Sequence, residues 1–338
     1  MERKLCSIQE ISEVTPITNA DRIECLHILG WTCVAKKGEF KKGDKVIYCE
    51  IDSLIPRKSW SEFLFKDNKQ FTRIKTEKLR GQLSQGIVFP ISILSEYNIG
   101  DEVTNILGVT KYEPIIPASI SGLCKGLFPT HIIPKTDEIR IQSVSKVLNE
   151  INNQEVYITT KIDGTSMTVY YYKDKFGVCS RNLELKESTE NSLWKTAIEL
   201  KLKEKLNTIS TITTFGNCAI QGELAGPGIA KNPLNLKKLT FYVFNIYDID
   251  NHCYLNYKDF LSFCSMLQLQ TVPIEEVTIA KDWTIEYLLE RSKGLYKGTN
   301  NQKEGIVIRP TNEMYSNTLK GRLSFKVVSN EYLAKGGN

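Results

Sequence analysis

The chain is short of histidine, with only His27, His131 and His252 in 338 residues, and none of its nine cysteines forms a CxxC pair. No histidine has a second histidine or a cysteine at helical spacing, so a histidine-built zinc site is not expected. Long apolar runs are missing too. Nothing approaches the roughly 18 consecutive apolar residues that a membrane-spanning helix needs. The opening stretch MERKLCSIQEISE is charged and has no apolar core, which argues against a secretion signal. An odd number of scattered cysteines without metal spacing reads as reduced thiols in an intracellular, reducing compartment, cytoplasm or nucleus. Net charge is only +5, compatible with a nucleic-acid partner without arguing for one.

What remains is an ordinary soluble composition, 41% apolar and 25% charged, in a chain long enough for two domains. In the first hundred residues, IECLHIL, WTCVAKK, KVIYCEI and GIVFPIS are rich in β-branched and aromatic residues. GEFKKGD, PRKSW and RGQLSQG separate them. Short strands without intervening helices predict a small barrel, and SWSEFLF is a short helix or an irregular excursion. A connector follows over 105–150, with Pro114, Pro117, Pro129 and Pro134. Within it KTDEIRIQSVSKVLNEI has apolar residues at 141, 144, 147, 148 and 151, the spacing of a helix capped by Thr136 or Asp137. From 155 onward strands dominate. NSLWKTAIELKLKEKLNTI, KDFLSFCSMLQL and IEYLLERSKG are the amphipathic helices. The fold class is α+β, divided into domains 1–105 and 106–338.

Two basic clusters stand out in the first domain. KKGEFKKGDK supplies Lys36, Lys37, Lys41 and Lys42, and FTRIKTEKLRG supplies Arg73, Lys75, Lys78 and Arg80. Cations interleaved with Phe and Ile are one footprint of a strand-built nucleic-acid surface. A solvated sheet face carries the same pattern.

TTKIDGTSMTVYYY (159–172) puts one lysine between a strand and a glycine turn. A lysine there is either a solvated bend residue or a nucleophile. Lys161-Ile162-Asp163-Gly164 is followed by Ser180-Arg181-Asn182, QGELAGPGI (221–229), FYVFNI (241–246), KEGIVIRP (303–310) and SFKVVS (324–329). Each alone is weak; their order and strand context carry the weight. In that order, over about residues 125–330, they resemble the covalent nucleotidyltransferases, the polynucleotide ligases and capping guanylyltransferases. GELAGPGI, FYVFNI and EGIVIRP resemble the ATP-dependent RNA ligases rather than DNA ligases. PITNADRIE, GEFKKGDKVIYCEIDSLIP and KLRGQLSQGIVFP resemble the amino-terminal OB module of one RNA ligase group, typified by an amoeboflagellate enzyme that seals 3′-OH/5′-phosphate nicks.

The resemblance implies an amino-terminal OB-type β-barrel for RNA, then an adenylyltransferase domain of ATP-grasp-like antiparallel sheets with flanking helices. It implies ATP, Mg²⁺ or Mn²⁺, and a covalent AMP on Lys161. Attack on the α-phosphorus needs a neutral amine, whereas a free lysine titrates at about 10.4. Burial, a divalent ion and the cations Arg181 and Lys326 are expected to lower it. Gly164 would let the backbone approach the nucleotide. Asp163, Glu223 and Glu304 would hold metal through water, Glu223 and Glu304 also meeting the ribose. Arg181 and Asn182 would face ribose or phosphates, Phe244 would stack on adenine, and Lys326 would neutralise the α-phosphate. KTDEIRIQ would line the cleft.

One departure is Ser324, where the family carries a first lysine; Lys320 or Arg322 is the replacement, or none exists. Twelve residues follow Lys326 (338 − 326 = 12), too few for the trailing OB domain of capping enzymes and the usual DNA ligases. The expected substrate is RNA with 5′-phosphate and 3′-OH ends, at nicks in a duplex, bound by a monomer without a membrane. A DNA ligase, or a non-catalytic RNA-binding protein with a decayed nucleotidyltransferase domain, is the alternative.

Overall fold

The computed structural model describes residues 3–94, 96–113, 122–212 and 216–335. Pro114 and Pro117 of the expected connector lie outside the described residues. The described chain forms two compact units: 3–113 with 141–145 and 333–335, and 122–140 with 146–332.

The first unit is built of short strands. They are β1 (Cys6–Glu10), β2 (Glu13–Pro16), β3 (Ile23–Ile28), β4 (Trp31–Lys36), β5 (Lys45–Cys49), β6 (Ser53–Pro56), β7 (Phe71–Arg73), β8 (Thr76–Leu79), β9 (Gln82–Gln85) and β10 (Ile87–Pro90). A single helical turn, α1 (Thr104–Leu107), precedes β11 (Thr110–Lys111). The strands pair as β1-β5-β10, β2-β3-β4, β11-β6-β7 and β8-β9. β5 shows why KVIYC has no polar face. Its alternate side chains enter two cores, Val46 and Tyr48 with Trp31 and Leu26, Ile47 and Cys49 with Ile8 and Phe89. Arg80 and Gly81, both at positive φ, close the two-residue turn of the β8–β9 hairpin. A division after residue 105 would cut α1 and separate β11 from its partner β6. SWSEFLF holds one short 3₁₀ turn, Glu62–Leu64.

The expectation of thiols throughout fails at one pair. Cys6 and Cys49 face each other in the β1–β5 register, their Cα atoms 4.2 Å apart, and are joined as a disulfide. Cross-strand neighbours on one face lie at bonding reach, and spacing along the chain gave no sign of it.

The second unit opens with β12 (Cys124–Leu127), β13 (Ile139–Arg140) and α2 (Val147–Ile151). β14 (Glu155–Lys161), β15 (Thr165–Tyr172), β16 (Lys175–Cys179) and β17 (Leu183–Leu185) follow, then α3 (Ser192–Glu199) and α4 (Leu202–Ile212). Next are β18 (Cys218–Ala225), β19 (Thr240–Asp248), β20 (Cys253–Tyr254), α5 (Tyr257–Met266), β21 (Ile274–Ile279) and α6 (Ile285–Arg291). It ends with β22 (Gly305–Pro310), β23 (Tyr315–Ser316), β24 (Gly321–Arg322) and β25 (Phe325–Val328). Two sheets result, β12-β17-β16-β15-β18-β19-β20 and β13-β25-β22-β14-β21. All their strand pairs are antiparallel except β13 with β25. Leu193, Trp194 and Ala197 of α3 and Leu206 of α4 pack on Met167, Val169, Ile220 and Val243 of the larger sheet.

Two helix expectations are corrected. The helix expected from 136 is a strand at 139–140, a 3₁₀ turn and only then α2. The backbone of Ile139 and Arg140 pairs instead with Phe325 and Lys326. The long helix over 191–209 is broken between α3 and α4, where Lys201 takes a positive φ. Asn191 caps α3 by accepting hydrogen bonds from the Leu193 and Trp194 N–H groups.

Candidate active site

Lys161 ends β14, and the chain then turns through Ile162–Gly164 into β15 of the other sheet. The two sheets meet at this corner. Gly164 is required by packing. A Cβ there would lie 2.4 Å from the Leu224 carbonyl oxygen of β18. The close approach seen here is to the neighbouring strand β18.

Strand register places the other groups. Lys161 lies opposite Gly305, and Thr159 opposite Val307, which in turn faces Lys326. Cross-strand partners share a sheet face, so Lys161 and Lys326 stand on one face, one row apart. Glu304 immediately precedes β22, and its Oε2 accepts a hydrogen bond from Lys161 Nζ at 2.7 Å. Glu223 comes from the opposite sheet, across from Ser166 on β15.

Burial alone would lower Lys161, but the carboxylates of Glu304, Glu223 and Asp163 outweigh it and hold the amine above the usual lysine range. The cation driven down is Lys326, to about 7, by burial and then by the charges of Lys161 and Arg140. Burial, with Glu304 and Asp163 adding to it against Lys161, pushes Glu223 up to about 8. Asp163 is raised by burial and by Glu304, opposed by a hydrogen bond from the Tyr332 hydroxyl at 2.8 Å. The corner therefore carries more carboxylate than its one ammonium balances. Among the described residues no three His, Cys, Asp or Glu side chains converge tightly enough to ligate an ion directly. The donor set of Asp163, Glu223 and Glu304 suits a hydrated hard cation held through water.

Arg181 is exposed and donates from Nη2 to both Asp137 carboxylate oxygens, at 2.6 and 2.8 Å. Asn182 Oδ1 accepts from Lys135 Nζ at 2.9 Å. Arg181 is thus tied to the 135–137 segment, and its charge lowers Glu223. Phe244 is the extra residue of a bulge, because Gln221 pairs with Asn245 while Gly222 pairs with Val243. The bulge turns Phe244 and Asn245 both away from the helix-covered core. Phe244 packs, half-buried, beside Ile162 and Tyr242, with the Arg309 guanidinium 5.8 Å from its ring.

Ser324 is buried. Arg322 pairs with Glu313, donates to Asn245 Oδ1 at 2.6 Å and lies over Tyr254. Lys320 is exposed on a turn. Arg322 is therefore held by structural partners. Tyr296 and Tyr332, which touch the Lys161–Gly164 corner, escaped the sequence reading. A lone tyrosine in a connection has no spacing that distinguishes it.

In the first unit, Lys36, Lys37, Lys41, Lys42, Lys75, Lys78 and Arg80 are exposed. They lie on the β4–β5 connection and on or beside the β8–β9 hairpin. Arg73 differs. It pairs with Asp52 at 2.7 Å and stacks over Tyr112 at 3.9 Å, so it is a structural cation. No helix among the described residues is long and apolar enough to cross a membrane.

A family model described as RNA ligase matches residues 154–328, and an OB-fold domain model matches residues 5–91. The expected OB-type module before an α+β catalytic fold is thereby met. No curated protein sequence matches. Among solved structures, the Naegleria gruberi RNA ligase with PPi is 40% identical, with 99% of each chain covered and a TM-score of 0.86. A lysine-to-alanine mutant of that ligase with ATP and Mn is 40% identical over 98% of this chain and 99% of the other, with a TM-score of 0.87. A glutamate-to-alanine mutant with AMP and Mn has the same identity, coverage and TM-score.

Proposed function

Because the chain belongs to the RNA ligase family, we propose that it is an ATP-dependent ligase that seals RNA 3′-OH and 5′-phosphate ends, with nicks in duplexes as its substrate. The observation that carries this reading is the contact of Lys161 Nζ with Glu304 at 2.7 Å, at a corner also lined by Glu223 and near Lys326.

The chemistry runs in three transfers. The Lys161 amine attacks the α-phosphorus of ATP, the bond to the bridging oxygen breaks, and pyrophosphate leaves. AMP then passes to the RNA 5′-phosphate oxygen, regenerating the amine. Last, the 3′-OH attacks the activated phosphate and AMP departs. Lys161 must first shed a proton that the neighbouring acids favour, and Glu304 Oε2 is the acceptor in contact with it. Asp163, Glu223 and Glu304 would hold a divalent ion through water, and that ion would supply positive charge offsetting these acids. Lys326 lies one row away on the same face, suited to meet charge building on the α-phosphate. Arg181 and Asn182 are assigned to ribose or phosphate contacts and Phe244 to the adenine face.

The proposal includes a monomer acting in RNA repair. A reducing compartment is supported by the seven cysteines outside the disulfide; the Cys6–Cys49 disulfide stands against it. Incubation with α-³²P-ATP and a divalent ion tests the first transfer. Acid-labile, lysine-type label on the wild type and none on Lys161→Ala is expected. Equal label on the variant would remove the assignment.

A further inference from the structure

Lys161 and Gly305 form the last rung between β14 and β22. Three backbone groups at this end converge on one side chain, Tyr296, in the connection before β22. Its hydroxyl donates to the Lys161 carbonyl oxygen at 3.0 Å. The Tyr296 hydroxyl oxygen in turn accepts from the Asp163 N–H at 3.0 Å and from the Glu304 N–H at 3.1 Å. A phenol offers one hydrogen and two lone pairs, so its whole capacity is used here. One atom thus links the nucleophile's backbone, the acid two residues on, and the carboxylate that touches the amine.

Tyr296 is itself well fixed. It is buried with Ile162, Ala225, Tyr242 and Val272. Its own N–H donates to the Asn301 carbonyl at 3.0 Å, and its carbonyl accepts from the Thr299 N–H at 3.0 Å. An anchor held by packing and by its own loop transmits position rather than absorbing displacement. Lys161 carries its amine on four methylenes, so the reach of Nζ toward a bound phosphate depends on where its backbone is pinned.

We propose that Tyr296 is a positioning residue for adenylyl transfer to Lys161, fixing the amine and Glu304 in one frame. The inference rests on the reading of Lys161 as the nucleophile. It assigns Tyr296 to the first transfer only, since sealing of RNA already adenylylated makes no use of the amine.

Full-length Tyr296→Phe, which keeps the ring and loses the hydroxyl, tests it beside the wild type. Three quantities are measured: the single-turnover rate of label transfer to the protein, ATP affinity, and sealing of a pre-adenylylated RNA nick. Misplacement of a reacting group by about 1 Å costs about 100-fold, so a fall of that order in label transfer is expected, with ATP affinity and pre-adenylylated sealing within about 3-fold. Label transfer within about 3-fold of wild type overturns the proposal. So does a loss traced to ATP affinity, or an equal loss of pre-adenylylated sealing, whether from misfolding or from a general structural role. Failure of the wild type to take up label would instead remove the nucleophile reading beneath it.

Discussion

Lys161 and Lys326 are both half-buried, and desolvation by itself favours the neutral amine in each. They part because Lys161 faces carboxylates while Lys326 faces Lys161 and Arg140. Glu223 shows the same crowding from the acid side. Its folded-state value is about 8 against an ordinary 4.5. Between those values the folded chain keeps a proton that the unfolded chain has released, so stability present at low pH is lost as pH rises toward 8. In EDTA, the melting temperature of the wild type should fall relative to Glu223→Gln between about pH 5 and about pH 8. Lys326 contributes the opposite slope above about 7, but in both proteins, so it cancels in the difference. Parallel curves would show that Glu223 is not held protonated. Lys161, Glu223, Glu304 and Lys326 were legible because their motifs occur in a set order. Tyr296 was not, because its role comes from a hydroxyl meeting three backbone groups that only the folded chain brings together.

Single elements show where local pattern competes with distant partners. The 136–151 stretch has helical apolar spacing, yet Ile139 and Arg140 pair with β25. Periodicity sees only near neighbours, so it missed that strand. The break at Lys201 was hidden for another reason. A lysine rather than a glycine adopts the positive φ, and nothing in its side chain announces this. The bulge at Phe244 shifts the alternation of β19 by one residue, which a strict period of two does not foresee. Gly164 is the element-scale test. A methyl group there meets backbone rather than a movable side chain. Gly164→Ala should destabilise the protein by about 1–3 kcal/mol in urea unfolding, the usual cost of overpacking. An unchanged midpoint would mean that β15 and β18 tolerate a wider spacing.

At the scale of the whole molecule, strands without helices and then a strand-rich α+β unit were readable from composition and turn signals. The extent of the first unit was not, because residues 141–145 join it from beyond the expected boundary. Its exposed cations give a separable expectation. Changing Lys75, Lys78 and Arg80 together to Glu should leave label transfer from ATP to Lys161 within about 2-fold and weaken RNA binding. Each lost phosphate contact should lower the slope of log affinity against log salt by about 0.7–0.9. Unchanged RNA affinity and slope would show that the hairpin face is merely solvated.

The most direct measurement is peptide mapping by mass spectrometry after the full-length protein meets ATP and a divalent cation. One AMP adduct is expected, on the side-chain nitrogen of Lys161. No adduct, or an adduct on any other residue, would contradict the account.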